Sequence, residues 1–155
     1  MTLTAIILTY NEEIHLERCI SSIRECVDDI LVVDSFSDDE TVAIAQAQGA
    51  NVLVHEFRDY ATQFNWALNQ VAQEADWILR IDADEYLTTE LMHEIQARLP
   101  TLEEDVAGVS VERNMVFLGD QVRYGGLYPV RLLRIFRRHL GHCEWRWMDE
   151  HIKVS

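Results

Sequence analysis

Residues 75–85 read Ala75-Asp76-Trp77-Ile78-Leu79-Arg80-Ile81-Asp82-Ala83-Asp84-Glu85. The apolar run ending at Ile81 has the length of a buried strand. Three carboxylates follow it at once, at the carboxyl end, where open α/β sheets place their ligands. Carboxylates packed so closely repel one another unless a cation or hydrogen-bond donors compensate. A divalent metal holding a phosphorylated substrate is one compensation. A solvated acidic turn is the other reading, and Asp-x-Asp alone does not choose between them.

The flanking chain alternates strand and helix signals. Leu3–Leu8 is nearly continuously apolar and β-branched, as in a strand buried on both faces. A helix is expected from Glu12 to Glu25, with Leu16, Cys19, Ile20, Ile23 and Val27 on its inward stripe. Ile30–Val33 reads as a second strand. Ser37-Asp38-Asp39-Glu40 reads as a capping box that opens a helix over Thr41–Gln48, closed by Gly49. Asn51–His55 is a third strand, Tyr60–Glu74 a helix and Trp77–Ile81 a fourth strand. Thr88 or Thr89 caps a further helix that stops near Pro100. Such repeated units imply right-handed crossovers and a Rossmann-like, mostly parallel sheet with helices on both faces. Past residue 106 the pattern changes to strands over Ala107–Arg113 and Arg131–Phe136, separated by the loop signals Gly125-Gly126 and Pro129. No linker or repeat divides the chain, so residues 1–155 are expected to form one domain.

Composition narrows the class. With 48% hydrophobic and 26% charged residues, the 155-residue chain has the proportions of a globular protein. The net charge of −14 is uneven: residues 1–112 hold 5 Lys/Arg and 23 Asp/Glu, residues 113–155 hold 8 and 4. The acidic body argues against nucleic-acid binding. The basic end suits an anionic acceptor or a peripheral contact with a membrane surface, or simply balances the acidic body. No apolar run approaches the roughly 18 residues of a membrane span, and the N-terminus lacks a signal peptide's basic start. Cys19, Cys26 and Cys143 have no metal-ligand spacing and fit reduced, buried thiols. A cytoplasmic protein is expected, with the inner face of the cell membrane as the place of any surface contact.

The polar residues fall at three strand ends. Thr9-Tyr10-Asn11-Glu12 follows the first strand, Asp34-Ser35-Phe36-Ser37 the second and Asp82-Ala83-Asp84-Glu85 the fourth, so all three converge on one edge of the sheet. Tyr10 offers a stacking face for a base. Asp34 can accept from a pyrimidine N–H or a ribose hydroxyl. Singly, Tyr10 reads as a packing residue and Asp34 as a turn former; together they favour a nucleotide site. No Gly-x-Gly-x-x-Gly and no Walker lysine loop is present. A metal on Asp84 would neutralise the phosphates instead.

Ile6-Ile7-Leu8-Thr9-Tyr10-Asn11-Glu12-Glu13, Leu31-Val32-Val33-Asp34-Ser35-Phe36-Ser37-Asp38-Asp39-Glu40-Thr41 and Trp77-Ile78-Leu79-Arg80-Ile81-Asp82-Ala83-Asp84-Glu85 resemble, in order and spacing, the nucleotide-binding half of family 2 glycosyltransferases. Phe57-Arg58-Asp59-Tyr60-Ala61-Thr62-Gln63-Phe64-Asn65-Trp66-Ala67-Leu68 and the late Trp147-Met148-Asp149-Glu150-His151 resemble segments of the lipopolysaccharide core glucosyltransferases within that family. The resemblance implies the GT-A fold, a UDP-sugar donor, Mn²⁺ or Mg²⁺, and inversion at the anomeric carbon. It implies that glucose is moved to a saccharide or lipid-linked saccharide acceptor, in lipopolysaccharide core or other cell-envelope glycan synthesis.

The same resemblance assigns roles. Thr9 and Tyr10 would line the base pocket, with Asn11 and Glu12 in the same nucleotide-sugar site, and Asp34 would hold uracil or ribose. Asn65, Asp82 and Ala83 would belong to the nucleotide-sugar site, with Asp82 on the ribose. Asp84 would bind the metal. The general base would be Glu150, with Asp149 as second choice. A one-step displacement by an acceptor hydroxyl needs one such base and no protein nucleophile. Trp145 and Trp147 offer aromatic faces for sugar rings. His151, beside the acidic pair, is a candidate for the metal or phosphate. Arg131, Arg134, Arg137 and Arg138 are candidates for the diphosphate or an anionic acceptor, with strand alternation selecting among them.

Three other classes compete. A haloacid dehalogenase-type phosphatase would place Asp-x-Asp after its first strand. A nucleotidyltransferase would carry a Gly-rich basic loop there. A non-catalytic nucleotide-sugar binding module would have no use for Asp149 and Glu150. Enzymes of the resembled family continue past the base motif, whereas this sequence stops at Ser155. The expectation is therefore a piece of a longer protein, with residues 1–106 as the nucleotide-binding half and 107–155 as the start of the acceptor-side half.

Overall fold

The computed structural model describes residues 1–117, 119–121, 130–145 and 151–155. Four strand–helix units open the chain: β1 (Leu3–Thr9) and α1 (Leu16–Ile23), β2 (Asp29–Asp34) and α2 (Thr41–Ala47), β3 (Asn51–Val54) and α3 (Tyr60–Gln70), β4 (Trp77–Arg80) and α4 (Thr89–Arg98). Then come β5 (Gly108–Arg113), the two-residue pair β6 (Val116–Phe117) and β7 (Asp120–Gln121), β8 (Val130–Arg137), β9 (Gly141–Cys143) and β10 (Ile152–Val154).

Among the described residues the main sheet has six strands in the order β3-β2-β1-β4-β8-β5. β1 pairs in parallel with both β2 and β4, and β2 pairs in parallel with β3. The strand order thus reverses at β1/β4, which makes that pair the switch point where such sheets open a ligand crevice. β8 enters antiparallel between β4 and β5, pairing Leu79 with Ile135 and Val109 with Ile135. A separate antiparallel hairpin, β9–β10, pairs Cys143 with Ile152.

Side-chain alternation divides the core into two layers. Leu3, Ala5, Ile7, Val32 and Leu79 face α1 and α4, against Leu16, Ile20, Ile23 and Ile95. Ile6, Leu31, Val33, Ile78 and Phe136 face the other way, against Phe64, Ala67 and Leu68 of α3 and Cys143 and Ile152 of the hairpin. Strands covered on both faces must be apolar on both, which is why β1 reads as a continuous hydrophobic run. Gly141 is required by close approach: a Cβ there would collide with the ring of the fully buried Phe136.

Three local expectations are corrected. Ser37 does not cap α2; the side chain of Asp39 accepts from the Thr41 N–H at 2.9 Å, because Ser37 is turned toward Asp34 and Asn11 instead. α1 begins at Leu16 rather than Glu12, since residues 13–15 form a turn and the Glu12 N–H is bonded to Thr41 Oγ1 at 2.8 Å. α3 ends at Gln70, where Val71 becomes extended and drops into the core. The guanidinium of Arg138 donates there to the carbonyls of Leu68 and Val71, a C-terminal cap supplied from beyond β8.

Candidate active site

The carboxyl ends of β1 and β2 are cross-linked around one buried acid. Asp34, 1% exposed, accepts from the Thr9 hydroxyl at 2.8 Å, the Ser37 hydroxyl at 2.6 Å and the Ser37 N–H at 2.8 Å. The Ser37 hydroxyl in turn accepts from the Asn11 N–H at 2.8 Å, and Asn11 Oδ1 accepts from the Asp38 N–H at 3.0 Å. Asn11 sits in the left-handed region at φ 52°, which asparagine tolerates. Phe36 does so at φ 59°, an uncommon conformation for a bulky residue and a local store of strain. The result is a rim where Tyr10, 62% exposed, and Phe36, 67% exposed, present aromatic rings to solvent while Asp34 lies beneath them. Asp34 is therefore the organiser of the rim, and Thr9 is buried as its partner.

At the end of β4 the two aspartates of the motif differ in kind. Asp82 is half-buried; its Oδ1 accepts from the Tyr60 hydroxyl at 3.2 Å and its Oδ2 lies 3.6 Å from Arg134 Nη2. Burial, and then the charge of Asp82, push the Tyr60 hydroxyl up, so it stays a donor. Ala83 turns its methyl into the core beside α1. Asp84 is exposed, and among the described residues its carboxylate has no partner. The turn is braced from below by α1: Arg18 donates to the Asp84 carbonyl at 3.2 Å and the Cys19 thiol to the Asp82 carbonyl at 3.5 Å. Burial, followed by the charges of Glu85, Asp82 and Asp84, raises the Cys19 thiol to about 12, so it takes no part as a nucleophile near neutral pH.

Uncompensated negative charge marks the mouth of the crevice. The Glu12 carboxyl is raised by its own burial first and by Asp84 next. Glu85 is also raised, because burial outweighs the pull of Arg134. Among the described residues no three His, Cys, Asp or Glu side chains converge as a metal cage. A lone exposed carboxylate in an acidic mouth still suits Mg²⁺ or Mn²⁺, which takes one or two carboxylates and completes its shell with water and substrate phosphates.

The structure thus brings Thr9, Tyr10, Asn11, Glu12, Asp34, Asp82, Ala83 and Asp84 to one edge of the sheet. Asn65 is elsewhere: its amide donates to the Cys143 carbonyl at 2.8 Å and accepts from the Cys143 N–H at 2.9 Å, fastening the β9–β10 hairpin to α3. Asp149, Glu150 and Trp147 lie outside the described residues. Trp145 is exposed, with its indole N–H on Thr62 Oγ1 at 3.2 Å. Sequence reading passed over Tyr60 as a site residue, and Arg134, expected on the diphosphate or an anionic acceptor, is here paired with Glu85 at 2.7 Å. Arg134 stands between Leu133 and Ile135 in a half-buried strand, and a charge so placed needs a partner; that was the available signal.

Comparison with known proteins agrees with this geometry. The profile of Glycosyl transferase family 2 matches residues 4–145. The lipopolysaccharide core biosynthesis glycosyltransferase LpsC of Rhizobium meliloti is 33% identical over 149 residues, covering 93% of this chain and 54% of that protein. A glycosyltransferase of Rickettsia felis is 45% identical over 94 residues, 61% of this chain and 32% of its own. The first of the curated relatives are thus matched over about a third to a half of their length. Among solved structures, the mannosyltransferase PcManGT of Pyrobaculum calidifontis, in complex with GDP-Man and Mn²⁺, is 25% identical with a TM-score of 0.60, covering 72% of this chain and 35% of that one. S. aureus TarS, residues 1–349, shares the fold at a TM-score of 0.55 and 21% identity, over 89% of this chain and 47% of that one. The crevice at the β1/β4 switch point is that of a GT-A fold, and the chain belongs to glycosyl transferase family 2.

Proposed function

We propose that this chain is the donor-binding part of an inverting glycosyltransferase that moves glucose from UDP-glucose to a saccharide or lipid-linked saccharide of the cell envelope. The observation that carries this reading is the division of labour across the β1/β4 crevice: exposed aromatic rings over a buried acid on one side, an exposed Asp84 carboxylate on the other. Tyr10 and Phe36 would take the two sides of the base, and Asp82, held by Tyr60 and Arg134, would accept from ribose. Asp84 would hold Mn²⁺ or Mg²⁺, which supplies charge stabilisation to the departing diphosphate. Glu150, with Asp149 as second choice, would take the proton from the acceptor hydroxyl; His151, the next residue, lines a cavity that also contains Asp82. The printed role of LpsC in lipopolysaccharide core biosynthesis supports the acceptor class, and GDP-Man with Mn²⁺ in PcManGT supports a metal and a nucleotide-sugar. Catalysis would run on the cytoplasmic side, where nucleotide-sugars are made.

The test is a thermal-shift panel of UDP, GDP and ADP with and without Mn²⁺, on the parent chain and on Asp84→Ala. Ligands that bind only the folded state raise apparent stability by mass action. Metal-dependent stabilisation by UDP in the parent alone is the expected result. Equal shifts in the variant would remove Asp84 from the metal role, and no shift with any nucleotide would end the donor reading.

A further inference from the structure

Gln63 of α3 is 1% exposed, although glutamine is mostly a surface residue. Both of its amide protons are used. Nε2 donates to the His55 carbonyl at 3.1 Å and to the Ser35 hydroxyl at 3.2 Å, and Oε1 lies 2.6 Å from His55 Nδ1. A carbonyl can only accept, so the amide nitrogen must be the atom that faces it. Oε1 therefore accepts, and His55 Nδ1 carries its proton. The His55 ring is stacked on Trp66, one turn further along the same helix, with centroids 4.0 Å apart. One buried amide thus ties α3 to the chain after β3 and to the chain after β2.

The second of these ties reaches the strained end of the crevice. Ser35 and Ser37 flank Phe36, which is held at φ 59° with its ring 67% exposed. Packing does not hold the ring there, because most of it is in water. A bulky residue keeps such a conformation only where its surroundings over-determine it. Ser37 is fixed to Asp34 and Asn11. Ser35 is fixed through its N–H to the Thr9 carbonyl at 2.9 Å and through its hydroxyl to Gln63. Val32 faces the layer of α1 and Val33 that of α3, and Asp34 and Ser35 continue this alternation. The turn is therefore gripped from both faces of the sheet, and Gln63 is the grip on the α3 face.

We propose that Gln63 is a positioning residue for recognition of the nucleobase: through the Ser35 hydroxyl it keeps Phe36 left-handed, with the ring on the same rim as Tyr10. The proposal rests on the donor reading, in which Tyr10 and Phe36 take the two sides of the base. Gln63 itself touches no ligand. It fixes the backbone from which one stacking face is presented.

The experiment compares the full chain with Gln63→Met, which keeps the shape and removes all three bonds, and with Ser35→Ala, which leaves both bonds between Gln63 and His55. Two quantities are read. The first is the intraresidue HN–Hα NOE of Phe36, which is strong when φ is positive. It should be strong in the parent and weak in both variants. The second is calorimetric affinity for UDP with Mg²⁺ beside inorganic pyrophosphate with Mg²⁺, which has no base. UDP binding should fall about fivefold in each variant, the scale of one lost aromatic contact, with pyrophosphate unchanged. On a Phe36→Ala background, Ser35→Ala should change UDP affinity by less than about twofold, since its effect passes through the ring. Equal losses for UDP and pyrophosphate, or additive losses in the double variant, would overturn the proposal in favour of a general loss of structure. An NOE that survives in Ser35→Ala while UDP still binds the parent would remove the tether and leave the donor reading standing. No UDP binding by the parent, with the NOE lost in Ser35→Ala, would end the donor reading and the role in base recognition, and leave only the tether.

Discussion

Arg134 Nη2 stands 2.7 Å from Glu85 Oε1 and joins the backward-running β8 to the acid that ends the Asp82-Ala83-Asp84-Glu85 turn. Glu85 also accepts from the Asp82 N–H at 3.0 Å, so one carboxylate holds both the turn and the arginine. The motif is therefore shaped from β8 as well as from its own strand.

Removing Glu85 leaves Arg134 buried with only the longer contact to Asp82. Glu85→Ala should cost about 2–3 kcal/mol, measured by urea denaturation at pH 7. The pH dependence has a defined sign. Burial raises the Glu85 carboxyl above its ordinary value, so the folded state holds this proton more tightly than the unfolded chain does. Stability from this group is then full below the ordinary carboxylate value and declines as pH rises through the folded one. Glu85→Gln has no such term. The stability difference between parent and Glu85→Gln should shift toward the variant from pH 4 to pH 7; a shift toward the parent contradicts the account.

Asp84 adds to the negative potential that raises Glu12. Asp84→Asn should therefore melt slightly higher than the parent in EDTA, by about 0.5 kcal/mol in stability, the scale of a surface charge interaction. With Mn²⁺ and UDP the order should reverse, because only the parent gains from binding. Calorimetry under both conditions checks the pair of results; an Asp84→Asn variant that still responds to Mn²⁺ would move the metal elsewhere.

Asn65 imitates a peptide unit, making both a donor and an acceptor bond to the Cys143 backbone. Asn65→Ala should lose about 1–2 kcal/mol. Amide hydrogen exchange at Cys143 should accelerate well ahead of exchange in β1. Asn65→Asp keeps the acceptor but sets a carboxylate oxygen against the Cys143 carbonyl, and should be no better than alanine.

Asp59 caps α3 through the Thr62 N–H at 2.7 Å and the Thr62 hydroxyl at 2.7 Å, and these bonds hold its carboxyl below the ordinary value. Asp59→Ala should cost about 1 kcal/mol at pH 7. With a lowered folded value, the contribution is present above the ordinary 3.8 and disappears as pH falls through the folded value. Parent and variant melting temperatures should converge on acidification; a gap that persists at pH 2 would mean the cap does not act through its charge.

The parallel half of the sheet was legible because its central strands are buried on both faces, and a continuous apolar, β-branched run such as Leu3–Leu8 fits little else. Convergence of Tyr10, Asp34 and Asp82–Asp84 followed from strand direction alone. Direction was not legible for β8: Arg131–Phe136 reads as a strand in either sense, and the pairing of Leu79 with Ile135 is a long-range choice. Ser37 shows the limit at shorter range. Its neighbours Asp38, Asp39 and Glu40 make a plausible cap sequence, but a cap must accept through its oxygen, and here that oxygen accepts from the Asn11 N–H while its proton goes to the buried Asp34. Asn65 shows the same limit, since an amide beside a helix can face a ligand or a neighbouring backbone, and only the position of β9 decides. Asp149 and Glu150 stand outside the described residues, so their role rests on sequence resemblance.

The hydroxyl of Ser37, shared between Asp34 and Asn11, has a consequence for how a ligand would be received. The loops after β1 and β2 meet at that oxygen, so the Tyr10–Phe36 end of the crevice has surrendered its freedom of movement during folding. Little entropy is left there for a ligand to remove. Recognition at Tyr10 and Phe36 should be fast and insensitive to temperature-driven loop motion, and Ser37→Ala should slow association more than it speeds release. At the opposite end the backbone of the turn is braced, but among the described residues the Asp84 carboxylate itself carries no such tether. On the proposed donor reading, selectivity for the base would fall to a side whose groups are tied together and responsiveness to the cation to a carboxylate that is free to move.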